Sequence, residues 1–234
     1  MKRALLFIGL VAVLANAVPA RAQFGVEVQE EKYMQIPHRF QVVVDGASGL
    51  PTEPGVFNDY WNTGFQFGIG FGMAVFPWLE VNGNYTTVSF SNNAIESKGK
   101  VGYVGVQALE GGAVHTKTYW GSARFIAVPK ARTNPYIEVG LGYFSTNADD
   151  LVIEGVLVPP NSMEPVNGMC FLPAVGIQYA MNERWTTYAK YTYQVNLNSD
   201  FAPGDLLMPA GSTTPTIGGN QVISSIGVGV MLKI

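Results

Sequence analysis

The sequence predicts an all-β fold: an eight-stranded antiparallel up-and-down transmembrane β-barrel with short periplasmic turns and long extracellular loops. Three observations carry that expectation. The stretch Gly64–Phe76 puts Phe65, Phe67, Ile69, Phe71, Met73 and Val75 at odd positions and, up to Ala74, only glycine, glutamine or alanine at even ones. Alternate side chains of a strand point to opposite faces, so one face here is large and apolar and the other small. A soluble sheet would turn polar side chains rather than glycines to water. A cramped bore suits the small face, and hydrocarbon the large one. Second, charged residues make up only 13% of the chain, against a usual share of about 25%. Yet beyond the N-terminus there is no run of roughly 18 apolar residues for a helical span. Third, long and short connections alternate strictly along the chain, the rhythm of a membrane barrel whose two ends face different compartments.

In chain order, residues 1–22 read as a cleaved signal peptide. Lys2 and Arg3 supply its positive region, residues 5–18 the apolar region, and Ala20-Arg21-Ala22 the cleavage site before Gln23. Residues 23–37 form a periplasmic lead-in, within which 24–28 can make a short strand, and residues 38–234 form the barrel. The first strand covers 39–46, with Phe40, Val42 and Val44 opposite Arg39, Gln41 and Asp45. Residues 49–60, with Pro51 and Pro54, read as a loop. Pro77 closes the second strand because it cannot donate to a ladder. Only Pro77 and Trp78 precede the third, where Leu79, Val81 and Tyr85 alternate with Glu80, Asn82, Asn84 and Thr86.

After a long connection at 92–112, residues 114–128 make the fourth strand. Residues 136–145 make the fifth, with Ile137, Val139, Leu141 and Tyr143 opposite Glu138, Gly140 and Gly142. A long loop at 147–167 leads to the sixth, where Met169, Phe171, Val175, Ile177 and Tyr179 face away from Leu172, Ala174, Gly176 and Gln178. Residues 182–184 turn into the seventh strand at 185–196, and residues 221–234 close the chain after a last loop at 197–219. An even count returns both ends to the periplasm. Ten strands result if parts of 24–28 and 101–109 both enter the sheet.

Aromatic side chains are expected to gather in two interfacial belts. Phe76, Trp78, Tyr136, Tyr179 and Trp185 lie near the short turns; Trp61, Phe90, Trp120, Tyr143, Phe144 and Tyr193 lie near the long loops. Glu80, Arg124, Glu138 and Lys190 share the inward parity and form the expected lumen charge network, since enclosed charges must be paired. Such a network either plugs the bore or gates a small pore. The inward glycines make room for bulky lumen residues such as Tyr188.

Other chemistry finds little support. None of the segments Gly68–Gly72, Gly140–Gly142 or Gly227–Gly229 completes a dinucleotide loop, and each lies inside a strand. With 14 basic and 17 acidic residues, the chain has no field for nucleic acid. His38 and His115 are too few for a metal site, and no metal or other cofactor is expected. A Ser–His–acid set near His115, beneath Asp149 and Asp150, stays open as an arrangement. No G-x-S-x-G or similar nucleophile motif is present, and no catalytic residue is assigned. Cys170, the lone cysteine, excludes an intrachain disulfide and reads as a small buried filler.

These residues together resemble the small outer-membrane barrels, the OmpA transmembrane domain and OmpX-like proteins. The likeness is one of pattern over residues 38–234 and rests on no single motif. It implies a monomer surrounded by outer-membrane lipid, with the terminal strand at 222–234 read by the barrel-assembly machinery. The family usually ends in an aromatic residue, where this chain has Ile234, and the resemblance does not imply the full OmpA-type tether to the cell wall. The working surface would be the loops, which are rich in apolar residues such as Leu151, Ile153, Leu157, Leu206 and Leu207. They pack on one another or meet a surface ligand or envelope partner. The expected role is structural, adhesive or surface-interacting. The alternative is a narrow porin-like channel, and an outer-membrane lipid-modifying enzyme stands behind both.

Overall fold

The computed structural model describes residues 39–53, 61–91, 109–111, 113–149, 151–153, 156–158, 166–197 and 220–234. The expected signal peptide, its cleavage point at Ala22 and Gln23, the lead-in, His38, and most of the long connections lie outside the described residues. Eight long strands build the molecule: β1 (Phe40–Glu53), β2 (Gly64–Phe76), β3 (Leu79–Phe90), β4 (Val114–Ile126), β5 (Thr133–Ala148), β6 (Val166–Ala180), β7 (Trp185–Asn196) and β8 (Gln221–Lys233). Each pairs antiparallel with its chain neighbour, and β1 pairs with β8 to close the barrel. The seam runs from Gln41↔Lys233 to Glu53↔Val222, and the Ile234 amide donates to the Phe40 carbonyl. Closure gives every long strand a neighbour on both sides, the condition for a sheet in hydrocarbon.

Alternation decides the faces. In β2, Phe65, Phe67, Ile69 and Phe71 are exposed on the outer wall, while Gly64, Gln66, Gly68, Gly70 and Gly72 line the bore. Ile137, Val139 and Leu141 on β5 and Ile226 and Val228 on β8 continue the apolar outer surface. Short connections of two to six residues sit at one end and the long ones at the other. Among the described residues no helix occurs.

Strand ends differ from expectation in three places. β1 continues through Pro51 to Glu53 instead of stopping near Gly46. Its pairing with β2 ends at Gly49↔Gly64 while pairing with β8 continues with a register shift between Pro51 and Glu53. A strand with one partner tolerates a proline that a central strand would not. β5 is longer at both ends than residues 136–145. The region expected as a loop at 147–167 holds two short strands, Leu151–Ile153 and Val156–Val158, which pair with each other; the first also pairs with Leu109–Gly111. Two β-prone runs separated by Glu154-Gly155 favour a small hairpin. Leu109 therefore joins this separate sheet, and the barrel has eight strands rather than ten.

The bore is filled in tiers. Val43, Ile126, Tyr136, Tyr188 and Met231 form one apolar cluster toward the short turns. Trp120, Phe144, Cys170 and Leu172 form another, and Trp61, Val88, Phe90, Val114 and Ile223 a third at the loop end. Cys170 is a free, buried thiol in this packing.

Candidate functional site

The inward charges sit in the short-turn half of the bore, and strand register puts them there. Glu80 on β3 stands directly opposite Arg124 on β4, which stands opposite Glu138 on β5. Three ionisable residues thus occupy one continuous cross-strand row. Arg124 Nη1 lies 3.3 Å from Glu80 Oε2 and Nη2 lies 3.0 Å from Glu138 Oε2, with all three side chains buried. Ser122, one step along the same face, donates to Glu138 Oε1. Two carboxylates around one guanidinium satisfy its planar fork of donors, the arrangement that best offsets desolvation of charge.

Lys190 belongs to a different pair. Its Nζ is 2.9 Å from Asp45 Oδ2, and the Tyr188 hydroxyl donates to the same oxygen at 2.9 Å. Register explains how Tyr188 reaches across: Gly229 lies between it and Asp45 on the ladder, pairing with both. A Cβ on Gly229 would run into the Tyr188 ring and come within 2.8 Å of Asp45 Cβ. Here glycine is required by a close approach. Tyr136 fills the bore over Gly176 in the same way.

The tyrosines join the two ion-pair groups. Arg124 stacks over the Tyr136 ring at 4.4 Å and the Tyr188 ring at 5.3 Å, and Lys190 Nζ lies 5.6 Å from the Tyr188 centroid. Nearby, Gln41 donates to Asn82 at 2.9 Å. The four residues expected as one network are therefore split, with Glu80, Arg124 and Glu138 together and Lys190 on Asp45. Sequence reasoning put Asp45 on the inward face of the first strand but left it out of the network. Its partner is 145 residues away and meets it only because β1 closes on β8.

The expected aromatic belts divide. Phe76, Trp78, Tyr179 and Trp185 are exposed on the outer wall near the short turns, and Tyr143 near the long connections. Phe76, Trp78 and Phe125 stack in series, with ring centroids 5.4 Å and 6.2 Å apart. Tyr193 is half-buried. Tyr136, Trp61 and Trp120 are corrections: they are buried inside the bore, as are Phe90 and Phe144. Tyr136 shares the parity of Glu138 and Trp120 that of Arg124, so the pleat turns them inward whatever their height. Trp61, bridging just before β2, packs on Val88, Phe90, Val114 and Ile223 at the loop end.

A second polar group lies outside the bore, at the loop end of β3 and β4. His115 Nδ1 is 2.8 Å from Ser89 Oγ, and His115 Nε2 is 3.0 Å from Asp149 Oδ2. Ser89 and His115 pair directly across the ladder. All three have the outward parity. Asp150, the other acid expected near His115, lies outside the described residues.

No family model and no curated protein sequence matches the chain. Among solved structures, Neisserial surface protein A is similar over 83% of this chain and 97% of its own, at 15% identity and a TM-score of 0.53. Ail, the attachment invasion locus protein of Yersinia pestis, aligns over 85% of this chain and 100% of its own at 10% identity and a TM-score of 0.49. The outer membrane protein OprG from Pseudomonas aeruginosa aligns over 86% and 99% at 12% identity and a TM-score of 0.48. At such identities the likeness is one of fold. The chain has the closed eight-stranded architecture of the small outer-membrane barrels, as the resemblance to OmpA and OmpX-like proteins implied.

Proposed function

We infer that this chain is a monomeric outer-membrane barrel of a Gram-negative-type bacterium, closed to solutes, whose role is structural or adhesive through its loop end. The observation that carries this reading is the filling of the bore. Glu80, Arg124, Glu138, Asp45 and Lys190 are enclosed and paired, and Tyr136, Tyr188, Phe144 and Trp61 occupy the remaining cross-section. An eight-stranded barrel has an interior only wide enough for side chains, so ion-paired groups and rings close it. The outer wall, carrying Phe65, Phe71, Leu141, Ile226 and Val228 exposed, supports a lipid surround. The similar Neisserial protein is by its name a surface protein. In this reading the barrel-assembly machinery inserts the chain, and the long connections meet an envelope partner or surface ligand.

Cell fractionation with heat-modifiable gel migration tests location and closure together: a folded, faster-migrating species in the outer-membrane fraction is expected. Planar-bilayer recordings on the wild type and Glu138→Gln test the closed bore. Silence from both supports the plug, while discrete openings that change with Glu138→Gln would establish the narrow channel instead. One observation favours that second reading. The Gln178 amide, Asn134 Oδ1, and the Tyr136 and Thr186 hydroxyls are buried without a protein partner among the described residues. Such groups suit a partly hydrated mouth at the short-turn end.

A further inference from the structure

We propose that Ser89, His115 and Asp149 form a hydrolytic triad on the outer wall, acting on the acyl ester of a membrane amphiphile at the loop-side interface. This goes beyond the surface role above and rests on it only for the membrane setting. The two hydrogen bonds fix the chemistry of the imidazole. A carboxylate can only accept, so Nε2 carries the proton held by Asp149 at 3.0 Å. Nδ1 is then the bare nitrogen, 2.8 Å from Ser89 Oγ and able to accept its proton. Nucleophile, base and orienting acid stand in sequence within hydrogen-bond reach, the geometric criterion for an activated serine. The two ring nitrogens exchange the places they hold in chymotrypsin, while the roles are kept.

Location selects the substrate. These side chains share the outward parity of Phe65, which pairs with Ser89 on its other side and is strongly exposed. The triad therefore faces lipid, at the end of the strands where the apolar band gives way to the polar interface. The His115 side chain is 32% exposed and that of Asp149 57%, so the group is open to that interface. An amphiphile places its ester linkages at this polar–apolar junction, beside its acyl chains. Lys117, two residues along β4 on the same face, and Asn147, opposite His115 on β5, bring a cation and an amide donor to the neighbourhood of the developing oxyanion.

The reaction balances as ester plus water giving acid plus alcohol. Ser89 Oγ attacks the ester carbonyl and its proton passes to His115 Nδ1. The tetrahedral adduct expels the alcohol oxygen, which leaves with that proton and gives an acyl-Ser89. Water then adds to the acyl carbon, giving a proton to Nδ1; the fatty acid departs and Ser89 recovers its hydrogen.

The test uses the full mature chain refolded in detergent and in vesicles, with folding checked by gel migration. A fluorophosphonate probe should form one adduct, located on Ser89 by peptide mass spectrometry. Ser89→Ala should abolish the adduct, and His115→Ala should slow it by about 100-fold or more. Asp149→Asn should lower labelling by a smaller factor, and Thr87→Ala should leave it unchanged. Vesicles of phosphatidylglycerol and vesicles containing lipopolysaccharide then distinguish a phospholipid ester from an acylated-sugar ester by the fatty acid each releases. A folded protein with no adduct at Ser89, or labelling undiminished in His115→Ala, would overturn the triad and leave a structural latch at the rim. Labelling without fatty-acid release from either vesicle would overturn the lipid-ester assignment. Neither result touches the closed bore, which conductance tests separately.

Discussion

The short-turn half and the loop half of the bore are closed by different chemistry. Toward the short turns, five charged side chains are enclosed as one group of three and one pair around Tyr136 and Tyr188. Toward the loops, Trp61, Phe90, Val114, Ile223, Trp120, Phe144 and Leu172 pack with neutral partners such as the Thr116–Thr146 and Gln194–Thr118 hydrogen bonds. An apolar tier answers the loss of one member with a cavity. An ionic tier answers with an unpaired charge, which propagates to every group that had been arranged around it. The difference teaches where the barrel is brittle: at Arg124, whose guanidinium bridges two enclosed carboxylates, Glu80 and Glu138.

Arg124→Ala should therefore have the largest effect, about 3–5 kcal/mol lost from the unfolding free energy, read as a lower urea midpoint for the folded barrel in detergent. Adding Glu80→Gln and Glu138→Gln to the same chain should recover part of that loss, because the stranded negative charges are removed. A cost below about 1 kcal/mol for Arg124→Ala would mean that the pairs behave as hydrated surface ions. Phe144→Ala, in the apolar tier, should cost about 3 kcal/mol through its cavity, and no charge change elsewhere should rescue it. If a charge change did rescue it, the two halves would not be separate.

Gly229→Ala sharpens the comparison further. Its Cβ would drive Tyr188 away from Asp45, and we expect a loss of about 1–3 kcal/mol. Gly121→Ala is the control, since a Cβ there meets only the Asn82 carbonyl oxygen at 3.9 Å; its effect should be within about 0.5 kcal/mol. Equal effects at the two glycines would deny the close approach its role. Trp78→Ala, on the outer wall, should change stability less than the bore substitutions, by about 0.5–1.5 kcal/mol through its stacking on Phe76 and Phe125. Thermal unfolding in detergent measures it.

Much of this was legible in the sequence because a strand's period of two is local. The faces of β2, β3, β7 and β8 follow from residues two apart, and the inward side of Glu80, Arg124, Glu138 and Lys190 with them. Tyr136 and Trp120 carried the same parity signal. The expectation that aromatics near strand ends mark the interface overrode it, though parity sets the face and height along the strand does not. What parity cannot supply is partnership between distant strands. Asp45 and Lys190 meet through the β1–β8 seam, and Trp61 caps the bore from just outside a strand. For the Ser–His–acid set near His115, the sequence offered the histidine and Asp149 but not Ser89, which reaches His115 only across the β3–β4 ladder.

The four tryptophans test the orientation of the whole wall. Trp78 and Trp185 are 48% and 42% exposed on the outer surface, whereas Trp61 and Trp120 are 2% and 5% exposed within the bore. Four single-tryptophan variants, reconstituted in vesicles of brominated phospholipid, report which rings touch acyl chains. Strong quenching of Trp78 and Trp185 with little change in Trp61 and Trp120 is the expected result. Quenching of the bore pair, with the outer pair reached only by aqueous iodide, would contradict it and remove the barrel from the membrane.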